Sequence, residues 1–310
     1  MFGEKGYNPG LPIRTPYFSS RLLKKLEGVL TAPVTAVEAP AGYGKTTALK
    51  HFLGESLLKT CLLPIYWWAA DEINDQIDCR ASWLRLCAQL SRIDAGAGGL
   101  LSSIGFPGPS TARQVGQVIS GMGPHRPCIL VLDDFQFMQQ KLPRIVMAAL
   151  LSSNGTNLHI IIVTQTVRPY QRAFFEQHGV YYIGTNDLKL QISDIRHYFR
   201  ICGKAISRSD AEELYSYTEG WIVALYLIML QTRRGEGFAP GPEIIRLMDS
   251  IVWENIPKCQ KSMILYSAIF THVSAKQMLF FIKDGDSPVD VLEIIEGIPF
   301  IEYQADKGSA

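Results

Sequence analysis

The sequence holds no apolar run near the ~20 residues that a membrane-spanning helix needs. Its longest, Ile222 to Leu230, is less than half of that. Residues Met1 to Gly10 are polar and glycine-rich, without the apolar segment that opens a signal peptide. An excess of one charge is missing too. With 30 Lys and Arg against 29 Asp and Glu, the formal net charge is +1, which argues against a whole-domain electrostatic grip on nucleic acid or an acidic membrane. Short basic clusters such as Arg21, Lys24 and Lys25 sit at helical spacing and read as a solvated helix face. The six cysteines (Cys61, Cys79, Cys87, Cys128, Cys202, Cys259) are scattered, with no CxxC pair. A disulfide framework and a zinc site are therefore not expected, whereas reduced thiols in a cytoplasmic protein are. The six histidines (His51, His125, His159, His178, His197, His272) lack carboxylate or cysteine partners at ligand or triad spacing and read as core or surface. Internal repeats and low-complexity tracts are absent as well.

What is present is an ordinary globular composition, 47% hydrophobic and 19% charged over 310 residues. That length suits one large domain with one or two small ones. Short β-rich runs alternate with helical stretches over the first 185 or so residues. Strands are expected at Val34 to Glu38, Leu62 to Trp68, Cys128 to Leu132, Leu158 to Thr164 and Val180 to Gly184. Between them, Lys45 to Leu53 reads as a helix stopped by Gly54, Trp83 to Leu90 as another helix, and Ala95 to Pro109 as a loop rich in Gly, Ser and Pro. Continuous apolar strands separated by helices predict a parallel sheet buried on both faces. Right-handed crossovers then give a doubly wound, five-stranded α/β domain over residues 1–186, with its ligand site at the carboxyl ends of the strands.

Beyond about Asp187 only helical patterns remain. Residues 187–236 read as a small helical domain, with helices at Ser193 to Cys202 and Ser209 to Leu230, the second opened by a capping box of Ser209 and Glu212. Arg233 to Pro242 reads as a linker. The block 243–310 carries helical patterns at Ile244 to Asn255 and Lys258 to Phe270, and a further helix start at Ser274 with Gln277.

One segment carries chemistry. Ala39 to Thr47 reads Ala-Pro-Ala-Gly-Tyr-Gly-Lys-Thr-Thr, between a predicted strand and a predicted helix. It matches the phosphate-binding P-loop except that Ala39 replaces the first glycine. Phosphate binding needs successive main-chain N–H groups turned into one concavity, a curvature that glycine permits. Ala41, Gly42, Tyr43, Gly44 and Thr47 would line that cradle, Lys45 would reach the β- and γ-phosphates, and the Thr46 hydroxyl would ligate Mg²⁺. The apolar strand Cys128 to Leu132 runs into Asp133 and Asp134. Asp133 is expected to hold the Mg²⁺ shell, and Asp134 to orient the attacking water as the catalytic carboxylate beside Lys45. Arg168, after the strand Leu158 to Thr164, is either a γ-phosphate sensor or a loop surface residue. Tyr66, Trp67 and Trp68 read as sheet core. Trp221 reads as helix core, with a place near the nucleotide as the alternative.

The P-loop spelling, Leu132 to Asp134, and Tyr217 to Trp221 (Tyr-Thr-Glu-Gly-Trp) together resemble the N-terminal part of the MalT-like, LuxR-type ATP-dependent regulators, which are STAND NTPases. Pro16 to Leu26 is similar to the family's lead-in, and Tyr66 to Asp71 to its second strand. The block after Pro242 is similar to the start, or all, of its winged-helix domain. This sequence departs from the family pattern at Ile222 (a proline after Gly-Trp), Gln165 (an arginine) and Ser19 (an arginine near adenine). The resemblance implies an ATP/ADP switch with Mg²⁺ and slow hydrolysis, governed by an unknown inducer and self-associating through the α/β domain when ATP-bound. It implies DNA contact only through a helix-turn-helix domain absent from this chain, no membrane partner, and a longer parent protein. A small-molecule kinase and a non-hydrolysing nucleotide scaffold stay open as alternatives.

Overall fold

The computed structural model describes residues 16–254, less 61–62, 72–75, 140, 153–156, 168, 236 and 240, together with 261 and 264–265. In chain order the elements are α1 (Ser20–Glu27), β1 (Val34–Glu38), α2 (Lys45–Thr60), β2 (Ile65–Ala69), α3 (Gln76–Ile93), α4 (Ala95–Ile104) and α5 (Ala112–Ser120). There follow β3 (Cys128–Asp133), α6 (Gln136–Gln139), α7 (Arg144–Leu151), β4 (Leu158–Thr164), α8 (Pro169–Gln177) and β5 (Tyr181–Ile183). The chain continues through α9 (Thr185–Leu188), α10 (Ile192–Ile201), α11 (Arg208–Thr218), α12 (Ile222–Arg233) and α13 (Pro242–Leu247) into a π-helical segment, Met248–Trp253.

All five strands pair in parallel, in the order β2-β3-β4-β1-β5. This is the α/β P-loop NTPase architecture that the alternation predicts. Period-two alternation splits each central strand between two cores. Leu130, Leu132, Ile160 and Ile162 face the layer of α3, α5 and α7. Ile129, Val131, Ile161 and Val163 face α1 and α2. Every residue of β3 is buried, so only a continuous apolar run could form it. Because β4 lies between β1 and β3, Glu38, Asp133 and Thr164 end at one edge of the sheet.

Several boundaries differ from the sequence reading, each for a physical reason. Gly54 does not stop α2. A glycine inside a helix costs only about 1 kcal/mol, and α2 carries past it to Thr60. The expected loop at 95–109 begins as α4, with the Asp94 carboxylate accepting from the Ala97 N–H at 3.0 Å. One of its glycines serves packing: a Cβ on Gly98 would sit 2.3 Å from the Ser91 nitrogen of α3. The helix expected over Ser209 to Leu230 is two helices, and its capping box is Ser207 with Asp210, which exchange hydrogen bonds of 3.0 and 2.8 Å. The break falls in the Thr-Glu-Gly-Trp segment, where Glu219 and Gly220 have φ of 47° and 79°. The Leu190 N–H donates to the Gly220 carbonyl at 3.0 Å, which ties this break to the start of the helical block. The helix expected at Ile244 to Asn255 is α13 with the π segment, whereas the helix start at Ser274 and nearly all of Lys258 to Phe270 lie outside the described residues.

No helix among the described residues is long and apolar enough to cross a membrane. Helices α10 to α12 enclose their own core of Leu190, Ile195, Phe199, Leu214, Leu225 and Ile228. Leu188, Trp221 and Ala224 instead join the core beneath the P-loop, so the junction between the two parts is packed.

The Glu219–Gly220 break gives a stability test. A Cβ on Gly220 would lie 2.1 Å from the Leu190 carbonyl oxygen, whereas Gly179, also at positive φ, faces open space. Gly220→Ala is expected to cost about 2–4 kcal/mol and Gly179→Ala about 1 kcal/mol. Urea unfolding of both variants at matched slope reads the difference.

Candidate functional site

After β1 the chain curls through Ala39 to Gly44 and enters α2 at Lys45. Gly42 and Gly44 have φ of 80° and 79°, values in the left-handed region that glycine adopts without strain. The curl stands at the start of α2, where the first amides have no acceptor within the helix and the helix dipole is positive. Ala39, in place of the motif's first glycine, is fully buried, and its N–H donates to the Thr164 carbonyl at 3.4 Å. That position still follows the sheet, so a methyl group fits.

Lys45 is 8% exposed. Its Nζ donates to the Ala39 and Pro40 carbonyls at 2.6 and 3.1 Å. Burial draws its pKa down to about 8, against the opposing pull of the Asp134, Asp133 and Glu38 carboxylates. An ammonium held only by carbonyls, in a site that penalises its charge, is poised for an incoming anion.

Asp133 is buried at the end of β3, and three donors converge on it. The Thr46 Oγ1 donates to Oδ1 at 3.0 Å, the Trp67 Nε1 to Oδ2 at 3.2 Å, and the Asp134 N–H to Oδ1 at 3.1 Å. Burial, then the neighbouring Asp134 charge, raise the Asp133 pKa, while the three hydrogen bonds oppose them. Asp134 itself sits at φ 50°, a strained position for a residue with a side chain. Its Oδ1 accepts from Gln136 Nε2 at 3.2 Å, and Gln136 Oε1 accepts from the Gln165 N–H at 3.1 Å. Gln136 thus ties the second aspartate to the end of β4. Glu38 accepts from the Val167 N–H at 2.7 Å and from Arg172 at 2.8 Å, fixing the segment after β4. Burial pushes the Glu38 pKa up, against that hydrogen bond and the Arg172 and Lys45 charges.

These groups open onto one pocket of about 580 Å³. Ala41 to Thr47, Asp134 and Gln165 give it polar lining. Its apolar lining includes Tyr17, Phe18, Leu190, Tyr198, Ile222 and Tyr226, contributed by the lead-in to α1 and by the helical block. All the P-loop residues singled out from the sequence therefore come together. Asp133 stands just behind them through Thr46, and Arg168 lies outside the described residues. Ser19 also lines the pocket, but its hydroxyl caps α1 by accepting from the Leu22 N–H at 3.2 Å.

Three contributors escape the sequence reading. Gln136 and Glu38 have no local signal, because their partners come from β4 and the segment after it. Trp67 looks like sheet core until the parallel register sets β2 beside Asp133. Trp221, read first as helix core, is buried, and its Nε1 donates to the Ala41 carbonyl at 3.0 Å.

No protein-family profile matches the chain. Over 228 residues it is 28% identical to the HTH-type transcriptional regulator MalT of Serratia proteamaculans (strain 568), covering 71% of this chain and 24% of that protein. Over 217 residues it is 25% identical to MalT of Yersinia enterocolitica serotype O:8 / biotype 1B, covering 69% of this chain and 23% of that one. The chain is similar to MalT. A STAND protein with a tetratricopeptide repeat sensor from Pyrococcus horikoshii aligns with a TM-score of 0.49 at 17% identity, covering 95% of this chain and 41% of that structure. The chain spans about a quarter of the length of the curated relatives it matches.

Lys45 predicts a pH signature for the folded chain. Its folded pKa lies below that of the unfolded chain, so the unfolded state binds more protons between about 8 and the usual lysine value. The charge penalty is fully present below that window and is relieved as pH rises through it. Relative to Lys45→Met, the unliganded wild type is expected to gain about 1–3 kcal/mol between pH about 7 and about 10.5. Denaturant titrations of both proteins across that range check the slope; parallel curves would refute it.

Proposed function

We propose that this chain is the nucleotide-controlled switch module of a bacterial transcription regulator, binding ATP or ADP with Mg²⁺ and hydrolysing ATP slowly. The observation that carries the reading is the pocket's position. A glycine-curled loop with a buried lysine and side chains of the helical block line the same pocket, so a ligand there would touch both parts at once.

The residues fit a polyphosphate and its metal. Lys45 has only carbonyl partners to give up. Thr46 and Asp133, a hydroxyl and a carboxylate already 3.0 Å apart, form a hard-oxygen pair of the kind Mg²⁺ takes. A bound Mg²⁺ would supply positive charge to the β- and γ-phosphate oxygens. The aromatic and aliphatic lining would take the base. Asp134, oriented by Gln136, would accept the proton of the attacking water. Arg168 is the residue of the sequence reading that would sense the γ-phosphate.

A switch that runs from 1:99 to 99:1 needs roughly 5.5 kcal/mol of differential ligand preference. Charge-assisted contacts of Lys45 and the metal pair to a γ-phosphate are of the strong kind that could contribute to it. In this reading ADP holds the helical block closed over the pocket. Exchange for ATP, favoured by an inducer, would permit self-association through the α/β domain. DNA contact would reside in a helix-turn-helix domain elsewhere in a longer protein. A small-molecule kinase fits less well: among the described residues no arginine lines the pocket, and Arg208 pairs with Glu212 on the surface.

Denaturing the purified protein and separating the released nucleotide by chromatography tests the site. ADP or ATP is expected from the wild type and should be largely absent from Lys45→Ala; equal content in both would remove the assignment. With ATP supplied, Asp134→Asn is expected to keep binding while turnover drops roughly a hundredfold or more. Undiminished turnover would rule out Asp134 as the base, and phosphate transfer to a metabolite would favour the kinase.

A further inference from the structure

Trp221 comes from the helical block, yet its hydrogen-bonding partner is the phosphate loop. The indole Nε1 donates to the Ala41 carbonyl at 3.0 Å. A planar trans peptide holds its C=O and N–H on opposite sides. Fixing the Ala41 oxygen toward Trp221 therefore turns the Gly42 N–H away from the indole, and Gly42 itself lines the pocket.

A steric observation points the same way. A Cβ on Gly42 would lie 2.6 Å from the indole Nε1, so glycine is needed at 42 for the tryptophan as well as for its φ of 80°. The indole is 5% exposed, and the Tyr43 ring centroid is 6.4 Å from it. Its backbone is equally constrained. Trp221 is the N-cap of α12, directly after the left-handed Glu219–Gly220 pair, and the Leu190 N–H holds the Gly220 carbonyl. Moving the start of α12 would carry the ring away from Ala41.

We infer that Trp221 is a positioning residue for the phosphate grip. Through it the helical block holds the Ala41–Gly42 peptide in its phosphate-accepting orientation, and withdrawal of α12 loosens the loop's hold on a polyphosphate. This inference rests on the nucleotide-binding reading and adds to it a route by which the helical block sets phosphate affinity.

Trp221→Phe keeps a ring in the core and removes the donor. Affinities for ADP and adenosine are measured on the 310-residue chain by competition against a fluorescent ADP derivative, alongside the thermal midpoint without ligand. Loss of one buried hydrogen bond to the loop is expected to weaken ADP roughly tenfold, with adenosine affinity and the midpoint nearly unchanged. An ADP affinity equal to wild type, or equal weakening of ADP and adenosine, would overturn the inference. If Trp221→Phe does not fold, Trp221→Met, which also lacks the donor, decides on the same split between ADP and adenosine. A wild type that binds neither ADP nor ATP would instead bring down the nucleotide reading, and this inference with it.

Discussion

A hydrogen bond from the Thr46 hydroxyl to the Asp133 carboxylate joins the two halves of the candidate site. The two residues are 87 positions apart in the chain, so their meeting depends wholly on the sheet. Strand β4 inserts between β1 and β3 and brings both strand ends to one edge. From β1 the curl of the P-loop then sets the start of α2 over the end of β3. The alternating apolar residues of β1, β3 and β4 fix that register, because a slip by one residue would turn each apolar set onto the wrong face. The chemistry at the sheet edge rests on this packing.

The site is also where the fold gathers buried charge. Lys45, Asp133, Glu38 and Asp134 lie near one another, and burial shifts the first three in the direction that opposes ionisation. Buried charges destabilise unless they are paired and hydrogen-bonded. Glu38 is paired with Arg172 and a main-chain amide, and Asp133 receives three donors. Lys45 is the exception, held only by carbonyl oxygens. An element left incompletely compensated in the free protein, in contact with a pocket, gains most when an anion arrives.

What could be read in the sequence divides along local and non-local lines. The strands around the site and the P-loop were legible because their signals are local: unbroken apolar runs, and a glycine–lysine–threonine turn between a strand and a helix. The helical boundaries failed where two local signals compete. Ser207 with Asp210 and Ser209 with Glu212 have the same capping-box spacing, and only the packing of α11 selects the first. The glycines at 96, 98 and 99 look like a loop, although Gly98 is there so that α4 can press against α3. Gln136, Glu38 and Trp67 carried no signal because each acts on a partner brought close by strand order. Trp221 was visible as a residue, but its contact to the P-loop depends on the turn at Gly220.

That turn bears on how a pocket of this kind can report its contents. A ligand shifts a conformational equilibrium only through contacts that differ between the two states. Here the phosphate loop, the apolar wall and the first residue before α12 share one core, in which Ala39, Tyr43, Leu188, Trp221 and Ala224 are all buried. Close-packed interiors deform little, so displacing one of these elements requires the others to repack. On the reading proposed above, a change at the P-loop would reach α12 through the Ala41 carbonyl and the ring that holds it, and from α12 the core of the helical block.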